Sequence, residues 1–449
     1  MASVPTNALF VVGTRPEAIK MLPLIRMFRG STSVNPVVVS TGQHAVLVAE
    51  VLALGGIAPD VTFPAPDRRR SLNELFADVM LGMERFFRER FGEPVIPADA
   101  PYAQGYPGAC FVHGDTTSAA AAALASFHLR MPVVHVEAGL RTSNTLSPFP
   151  EELNRQLISR IAAWHLAPTS RSRDNLIREG VSHGRIYVSG NTGIDALQFA
   201  ATLDAPYGDP RLDDLEAPGG PRLVVVTAHR RENWGKPLGR IASAVRQLAE
   251  AHHDVRFVVA LHPNPDVAAV MRERLSDVSN VSLVAPLGYA AFAKLLRRAY
   301  LVLTDSGGIQ EEAPSLGTPV IVLRDSTERE EGVDAGTLEV VGTRVDAIVT
   351  AAARLLDDPH EYAQRRGRPN PYGDGRAAER ILRATEHILD DLPAPRQYGP
   401  TFDRIEVLRA AGSDDPSELL ELVREDDTAA ITIIDPTVEL PVITTTDGS

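Results

Sequence analysis

The sequence predicts an α/β protein made of two doubly wound parallel sheets, and three observations carry that expectation. Short apolar runs rich in Val and Ile alternate with helical patterns along the chain. The runs are continuously apolar, as strands covered by helices on both faces are. They fall into two sets, parted by the stretch DAPYGDPRLDDLEAPGGP at 204–221, which is dense in Pro, Gly and Asp and reads as a linker.

The first set places strands at 8–12, 36–40, 109–113, 132–136 and 186–188. The second places them at 222–228, 256–261, 281–284, 301–304 and 319–323. Two Rossmann-like domains follow, at 1–203 and 222–374, on either side of the linker. Helical patterning closes the second half over 375–392. Residues 393–449 form an acidic tail, expected to be partly disordered, with one helix at 417–424. A polar insertion at 97–108 reads as a surface loop.

At 449 residues and 44% hydrophobic, the chain is long enough for full cores and excludes a disordered, collagen-like or disulfide-built protein. The single cysteine, Cys110, lies in the run Ala109–Val112 and reads as a small buried hydrophobe, so one chain forms no disulfide or cysteine zinc site. From Tyr398 onward the tail carries −9 of the net −13, leaving the rest near balance. That argues against a nucleic-acid surface, though not against a local anion pocket. Arginine supplies 42 of the 45 basic residues; genome base composition accounts for that. No apolar stretch reaches the ~18–20 residues that span a bilayer, and the start lacks a basic leader region. A cytoplasmic protein without membrane partners is expected.

Polar clusters follow the strands: Gly13–Glu17, Thr41–His44, Gly114–Thr117, Glu137–Arg141, His229–Asn233 and Asp305–Gly308. Ligands of open α/β sheets bind beyond the carboxyl ends of strands, so both halves aim polar groups at one crevice. Ordinary turn and capping chemistry accounts for one or two such clusters more readily than for six. Asp305–Glu312 reads as a strand end, a glycine turn and a helix start, an arrangement that suits an anion. It matches neither the P-loop nor GxGxxG. Arg15 and Lys20 flank the first helix start, with Pro16 as its first residue, and two cations there suit a diphosphate. Asp115, Glu137 and Glu151 are candidates for proton transfer, and Glu151 and Arg155 lie four apart on one helix face. His229 ends a strand and suits phosphate binding or leaving-group assistance. No HExxH or DxD pattern accompanies it, so no metal is expected.

Eight motifs together resemble the non-hydrolysing UDP-N-acetylglucosamine 2-epimerases. They are GTRPEAIK (Gly13–Lys20), TGQH (Thr41–His44), HGDTTSA (His113–Ala119), HVEAGLRT (His135–Thr142), PFPEELNR (Pro148–Arg155), AHRREN (Ala228–Asn233), DSGGIQEE (Asp305–Glu312) and TER (Thr327–Arg329). Their order and spacing match over residues 8–390. The resemblance implies a GT-B fold of two Rossmann-like domains facing a central cleft. It also implies reversible inversion at C2 of a UDP-sugar: UDP is eliminated to a 2-acetamidoglucal and then added back. No cofactor is implied, and a homodimer is expected by family analogy.

By matching position, Arg15, Lys20, His229, Ser306, Gly307 and Gly308 hold the diphosphate side. Phe292 and the backbone near Leu287 meet uracil, although both also suit a buried amphipathic face. Glu312 takes the ribose and Arg329 lines the cleft. Asp115, Glu137 and Glu151 handle protons, and Arg155 orients the sugar. Two departures stand out. Glu330 occupies a position that is usually proline. The family's regulatory second sugar-nucleotide site is matched by Gln43, Arg69 and His262, while its second glutamine is Val46, so weakened allosteric activation is expected. Other readings are a hydrolysing epimerase releasing N-acetylmannosamine and UDP, an epimerase of a modified UDP-sugar, a glycosyltransferase of the same fold, and a non-catalytic sensor. Three carboxylates around C2 favour epimerisation.

Overall fold

Strands in this chain form where β-branched runs are sealed on both faces by helices. The computed structural model describes residues 5–65, 68–92, 106–142, 144–217, 219–390 and 393–399. The first sheet comprises β1 (Thr6–Val12), β2 (Val34–Ser40), β3 (Val61–Thr62), β4 (Pro107–His113), β5 (Val133–Val136), β6 (Trp164–Ala167) and β7 (Ile186–Val188). Its order is β3-β2-β1-β4-β5-β6-β7. The second comprises β8 (Arg222–Thr227), β9 (Val255–Ala260), β10 (Val281–Val284), β11 (Leu301–Thr304), β12 (Val320–Val322) and β13 (Leu338–Val340), in the order β10-β9-β8-β11-β12-β13. Every pairing is parallel. Each sheet therefore reverses direction once, between β1 and β4 and between β8 and β11, and each reversal opens a crevice at the strand ends.

The first lobe carries α1 (Arg15–Arg29), α2 (Ala45–Ala53), α3 (Leu72–Phe91), α4 (Thr117–His128), α5 (Glu151–Ile161), α6 (Ser170–Arg178) and α7 (Thr192–Thr202). The second carries α8 (Lys236–Ala251), α9 (Pro265–Leu275), α10 (Tyr289–Arg298), α11 (Gly307–Glu312), α12 (Glu330–Asp334), α13 (Val345–Asp357) and α14 (Pro359–Arg366). The last helix, α15 (Ala377–Asp390), returns to the first lobe, where Ala378, Ile381 and Ala384 join the core of β1 and α1. Asp195 of α7 accepts from the amides of Ala377 and Ala378 at 3.2 and 2.9 Å and so fixes where α15 begins. Burial pushes that carboxyl up to about 6, against the pull of those amides.

Helix α1 shows why these sequences fold locally. Thr14 caps it, and Glu17 completes a capping box. The helix begins at Arg15, one residue before the start expected at Pro16. Met21, Leu22 and Ile25 point inward and are fully buried, each contributing about 1.5–3 kcal/mol. Beneath them Phe10 and Phe111 stack at 4.6 Å, with Phe28 edge-on.

Three strands escaped the sequence reading: β3, β6 and β13. Each has two to four residues, too few for a recognisable apolar run. The 204–221 stretch is more than a tether, because Tyr207, Leu212 and Leu215 are buried in the second lobe's core. Of the 97–108 insertion, Pro107 and Gly108 already belong to β4; 97–105 lie outside the described residues, as do the tail beyond 399 and its expected helix. Cys110 is buried, which pushes its thiol up to about 12. Among the described residues no helix is long and apolar enough to cross a membrane.

Candidate functional site

The loop after β1 is built around a carboxylate. Glu17, 2% exposed, accepts from the amides of Gly13 and Thr14 at 2.9 and 2.6 Å and from Thr116 Oγ1 at 2.6 Å. It thereby ties the loop after β1 to the loop after β4. Gly13 is required there, since a Cβ would lie 2.5 Å from Ser118 Oγ and 2.6 Å from Thr41 Oγ1.

Next to this frame, Lys20 pairs with Glu137 Oε2, and His113 Nε2 lies 3.1 Å from the same oxygen without hydrogen-bond geometry. Glu137 has φ +62°, a left-handed conformation that costs a non-glycine residue of order 1–3 kcal/mol and that collects at functional sites. Burial pushes the Glu137 carboxyl up, but Lys20 and then His113 outweigh it and hold the group well below the usual carboxylate range. For Lys20, burial lowers the ammonium; Glu137, Glu311 and Glu312 together raise it. His135 stands below, its Nε2 2.7 Å from Gly114 O, and burial takes its pKa down to about 3, so the ring is neutral.

A second charged set lies on α5. Arg155 binds Asp115 Oδ2 through Nε and Nη2 at 2.8 and 2.7 Å, and it binds the fully buried Glu152 at 2.9 Å. Asn154 Nδ2 donates to Asp115 O at 2.8 Å. The i,i+4 partnership of Glu151 and Arg155 considered from spacing is therefore replaced by Glu152 and Asp115. Glu151 Oε2 is left buried with no hydrogen-bond partner among the described residues. An orphan buried carboxylate oxygen is costly and marks a site built for something else.

The second lobe works differently. Asp305, fully buried after β11, accepts from the amides of His229 and Arg230, both at 2.9 Å, and from Asn233 Nδ2 at 2.9 Å. It moulds the loop after β8. The His229 ring, 45% exposed, faces outward with Nδ1 3.5 Å from Asp305. Ser306 caps α11 without using its side chain. Gly307 supports the Arg329 guanidinium, because a Cβ would lie 2.9 Å from Arg329 Cζ. Arg329 donates to Glu311 at 2.8 Å.

The lobes meet at the start of α7. Asn191 donates to Glu311 at 2.6 Å, and a Cβ on Gly193 would touch Lys20 Cε at 3.4 Å and Glu312 Oε1 at 3.5 Å. Lys20 of the first lobe thus approaches the carboxylates of the second. Burial pushes the Glu312 carboxyl up to about 8, eased by Lys20 and reinforced by Glu311 and Glu137. Glu330 pairs with Arg171 of α6 at 2.6 Å and Glu331 accepts from Thr169 at 3.1 Å, so the residue replacing proline bridges the lobes.

Arg15 forms no hydrogen bond or ion pair among the described residues, while its charge reaches the phenol of Tyr289, whose Oη is buried without a partner. Leu287 and Phe292 are half-buried against the second core. Gln43 accepts from Ser118 Oγ at 2.8 Å. Arg69 is exposed, and its neighbour Arg70 is the one that reaches the Gln43 loop, at Gly42 O, 3.1 Å. His262 Nδ1 accepts from the Asn264 amide, and its ring packs on Trp234. Sequence reasoning passed over Glu17, His113, Asn191, Asp305 and Glu311 as individual participants. The signal was present for four of them, since they sit inside the quoted motifs; Asn191 lay in no motif.

With this geometry in hand, comparison with known proteins adds a family. A family model described as UDP-N-acetylglucosamine 2-epimerase matches residues 26–386. The chain is 42% identical to the UDP-N-acetylglucosamine 2-epimerase of Escherichia coli K12, covering 85% of this chain and 98% of that protein. It is 41% identical to the Bacillus subtilis protein of the same name, covering 84% and 94%. The structure of the Neisseria meningitidis UDP-GlcNAc 2-epimerase bound to UDP-GlcNAc superposes with a TM-score of 0.70 at 37% identity, covering 86% of this chain and all of that one.

Proposed function

Given that the chain belongs to the UDP-N-acetylglucosamine 2-epimerase family, we propose that it interconverts UDP-N-acetylglucosamine and UDP-N-acetylmannosamine without net hydrolysis. In this reading UDP leaves C1 as the C2 proton is removed, giving a 2-acetamidoglucal, and re-adds after a proton returns to the opposite face of C2.

One observation carries the reading: Lys20 is held by Glu137 of the first lobe while it lies within the field of Glu311 and Glu312 of the second. A C2–H is a very weak acid, so its loss must be driven by departure of the diphosphate, and a cation at the leaving oxygen supplies that drive. A diphosphate entering between the lobes competes for Lys20. As Lys20 turns to it, Glu137 loses the charge that keeps it ionised and becomes a better proton acceptor. His113 remains beside Glu137. Asp115, fixed by Arg155, and Glu151, with its unpartnered oxygen, are the other two proton-handling groups. Glu312, neutral below about pH 8, bonds ribose hydroxyls without placing another negative charge next to the diphosphate. His229 and Arg15 take phosphate oxygens on the outer side.

The test is proton NMR of the enzyme with UDP-N-acetylglucosamine in heavy water. Deuterium entering at C2 together with UDP-N-acetylmannosamine supports the proposal. Accumulation of free N-acetylmannosamine and UDP alone would mean hydrolysis, and no exchange would mean another substrate.

A further inference from the structure

Opposite the cleft, at the amino-terminal edge of the second sheet, lies a cavity of about 280 Å³. Four arginines line it, Arg222 at the start of β8, Arg297 and Arg298 at the end of α10, and Arg366 at the end of α14, and no carboxylate does. Arg298 donates to the carbonyls of Leu215 and Pro221, at 2.9 and 3.3 Å. Arg222 donates to Leu356 O and, away from the cavity lining, to Asp254 at 2.8 Å. Arg297 and Arg366 form no hydrogen bond or ion pair among the described residues. The wall is stiff: Tyr300 and Tyr362 stack at 3.7 Å and 6°, and the Arg222 guanidinium covers Tyr300 at 5.4 Å.

Elsewhere in this arginine-rich chain, many guanidinium groups meet carboxylates, as Arg155, Arg246, Arg324 and Arg329 do. Gathering four cations around one concavity in an acidic protein raises the local potential, and a multivalent oxyanion relieves it. Guanidinium forks suit phosphate oxygens bidentately. The volume admits a compact ligand and no more. We propose that this cavity is a second anion site, separate from the cleft, that binds a diphosphate group, either inorganic or carried by a small nucleotide. Two elements connect it to the cleft. Helix α10 begins at Tyr289 and ends at Arg297 and Arg298, and Leu316, in the cavity wall, lies one turn beyond Glu312.

The experiment is calorimetric titration of pyrophosphate, and separately ADP, into the full chain at physiological salt, in the parent and in a cleft variant carrying Arg15→Ala and His229→Ala. Binding is expected to persist in the cleft variant and to weaken at least tenfold in the double variant R297A/R366A made in that background. Tighter binding of ADP than of pyrophosphate assigns the nucleotide as the source; equal affinity assigns the inorganic ion. Both arginines replaced are exposed, so the double variant should melt within a few degrees of the parent. No heat in the cleft variant, or equal affinity in the double variant, overturns the proposal.

Discussion

The first lobe edges the cleft with side chains that neutralise one another, whereas the loop after β8 in the second edges it with backbone held in place by one buried carboxylate. Lys20 with Glu137, and Arg155 with Asp115 and Glu152, are ion pairs that a ligand re-sorts on entry. Asp305 is fully enclosed, and what it holds is main chain and the Asn233 amide group. The same strand order has thus been furnished for two physical tasks. Movable charges suit proton transfer, in which a group must change its ionisation during the cycle. A loop so fixed, presenting an outward histidine beside the start of α11, suits holding a phosphate whose charge does not change sign. The division predicts that variants of the first lobe's carboxylates fail in turnover and variants of the second lobe's β8 and β11 loops fail in binding.

The largest expected effect is in the first lobe. Replacing Asp115 by Asn keeps the shape and removes the charge facing Arg155. Turnover and C2 exchange in heavy water should fall by about 10²–10⁴, the usual worth of a positioned acid or base. UDP affinity by calorimetry should stay within about threefold. Full exchange in this variant would remove Asp115 from proton handling and break the comparison on that side.

Second in size is Asp305→Ala. It strands the amides of His229 and Arg230 and leaves the Asn233 amide group with its bond to Leu323 O. Bonds to a charged group are worth about 1.5–3 kcal/mol each before the loop relaxes, so UDP affinity should drop by at least about tenfold and chemical denaturation should show lost stability. A variant that binds UDP normally yet turns over slowly would show the second lobe doing the first lobe's work.

How much of this was readable in the residues alone depends on range. Both sheets and the polar clusters at their edges follow from local pattern, because a strand buried on two faces must be apolar and its exit need not be. The short strands β6 and β13 were missed because they are held by neighbours more than by their own composition. Pairings were less readable still. Arg155 finds Asp115 across 40 positions and Lys20 finds Glu137 across 117, distances over which spacing says nothing. Glu151, the acid four residues before Arg155 on one helix face, turned out to be the one without a partner, while Glu152, three before, binds Arg155. Glu17 looks in sequence like a solvated charge in a first helical turn and is in fact the tie between two loops.

Third, Glu312 gives a pH test of how the lobes interact. Burial pushes its carboxyl up to about 8, so it is neutral at pH 7 and ionises as pH rises to 9. The raised value means the folded protein disfavours the charged form, and a diphosphate nearby disfavours it further. UDP affinity should therefore weaken by up to about tenfold from pH 7 to 9. In Glu312→Gln that dependence should flatten, with affinity at pH 7 little changed. A slope that survives in the glutamine variant would place the titrating group elsewhere, with Lys20 and its first-lobe partner Glu137 the next to examine.

The smallest effect concerns the bridge between lobes. Glu330 and Arg171 pair at 2.6 Å, and both side chains are more than half exposed. An exposed pair contributes about 0–1 kcal/mol and is screened by salt, against about 1.4 kcal/mol for a tenfold change in rate or affinity. Glu330→Ala should accordingly leave kcat and KM within about threefold, with whatever change occurs fading at high salt. The buried cross-lobe contacts, Asn191 to Glu311 and Lys20 toward Glu312, would remain and keep the two edges in register. A change well beyond tenfold would mean that this surface pair sets how the lobes close. Turnover and binding would then be coupled through α12, and the assignment of one task to each lobe would fail.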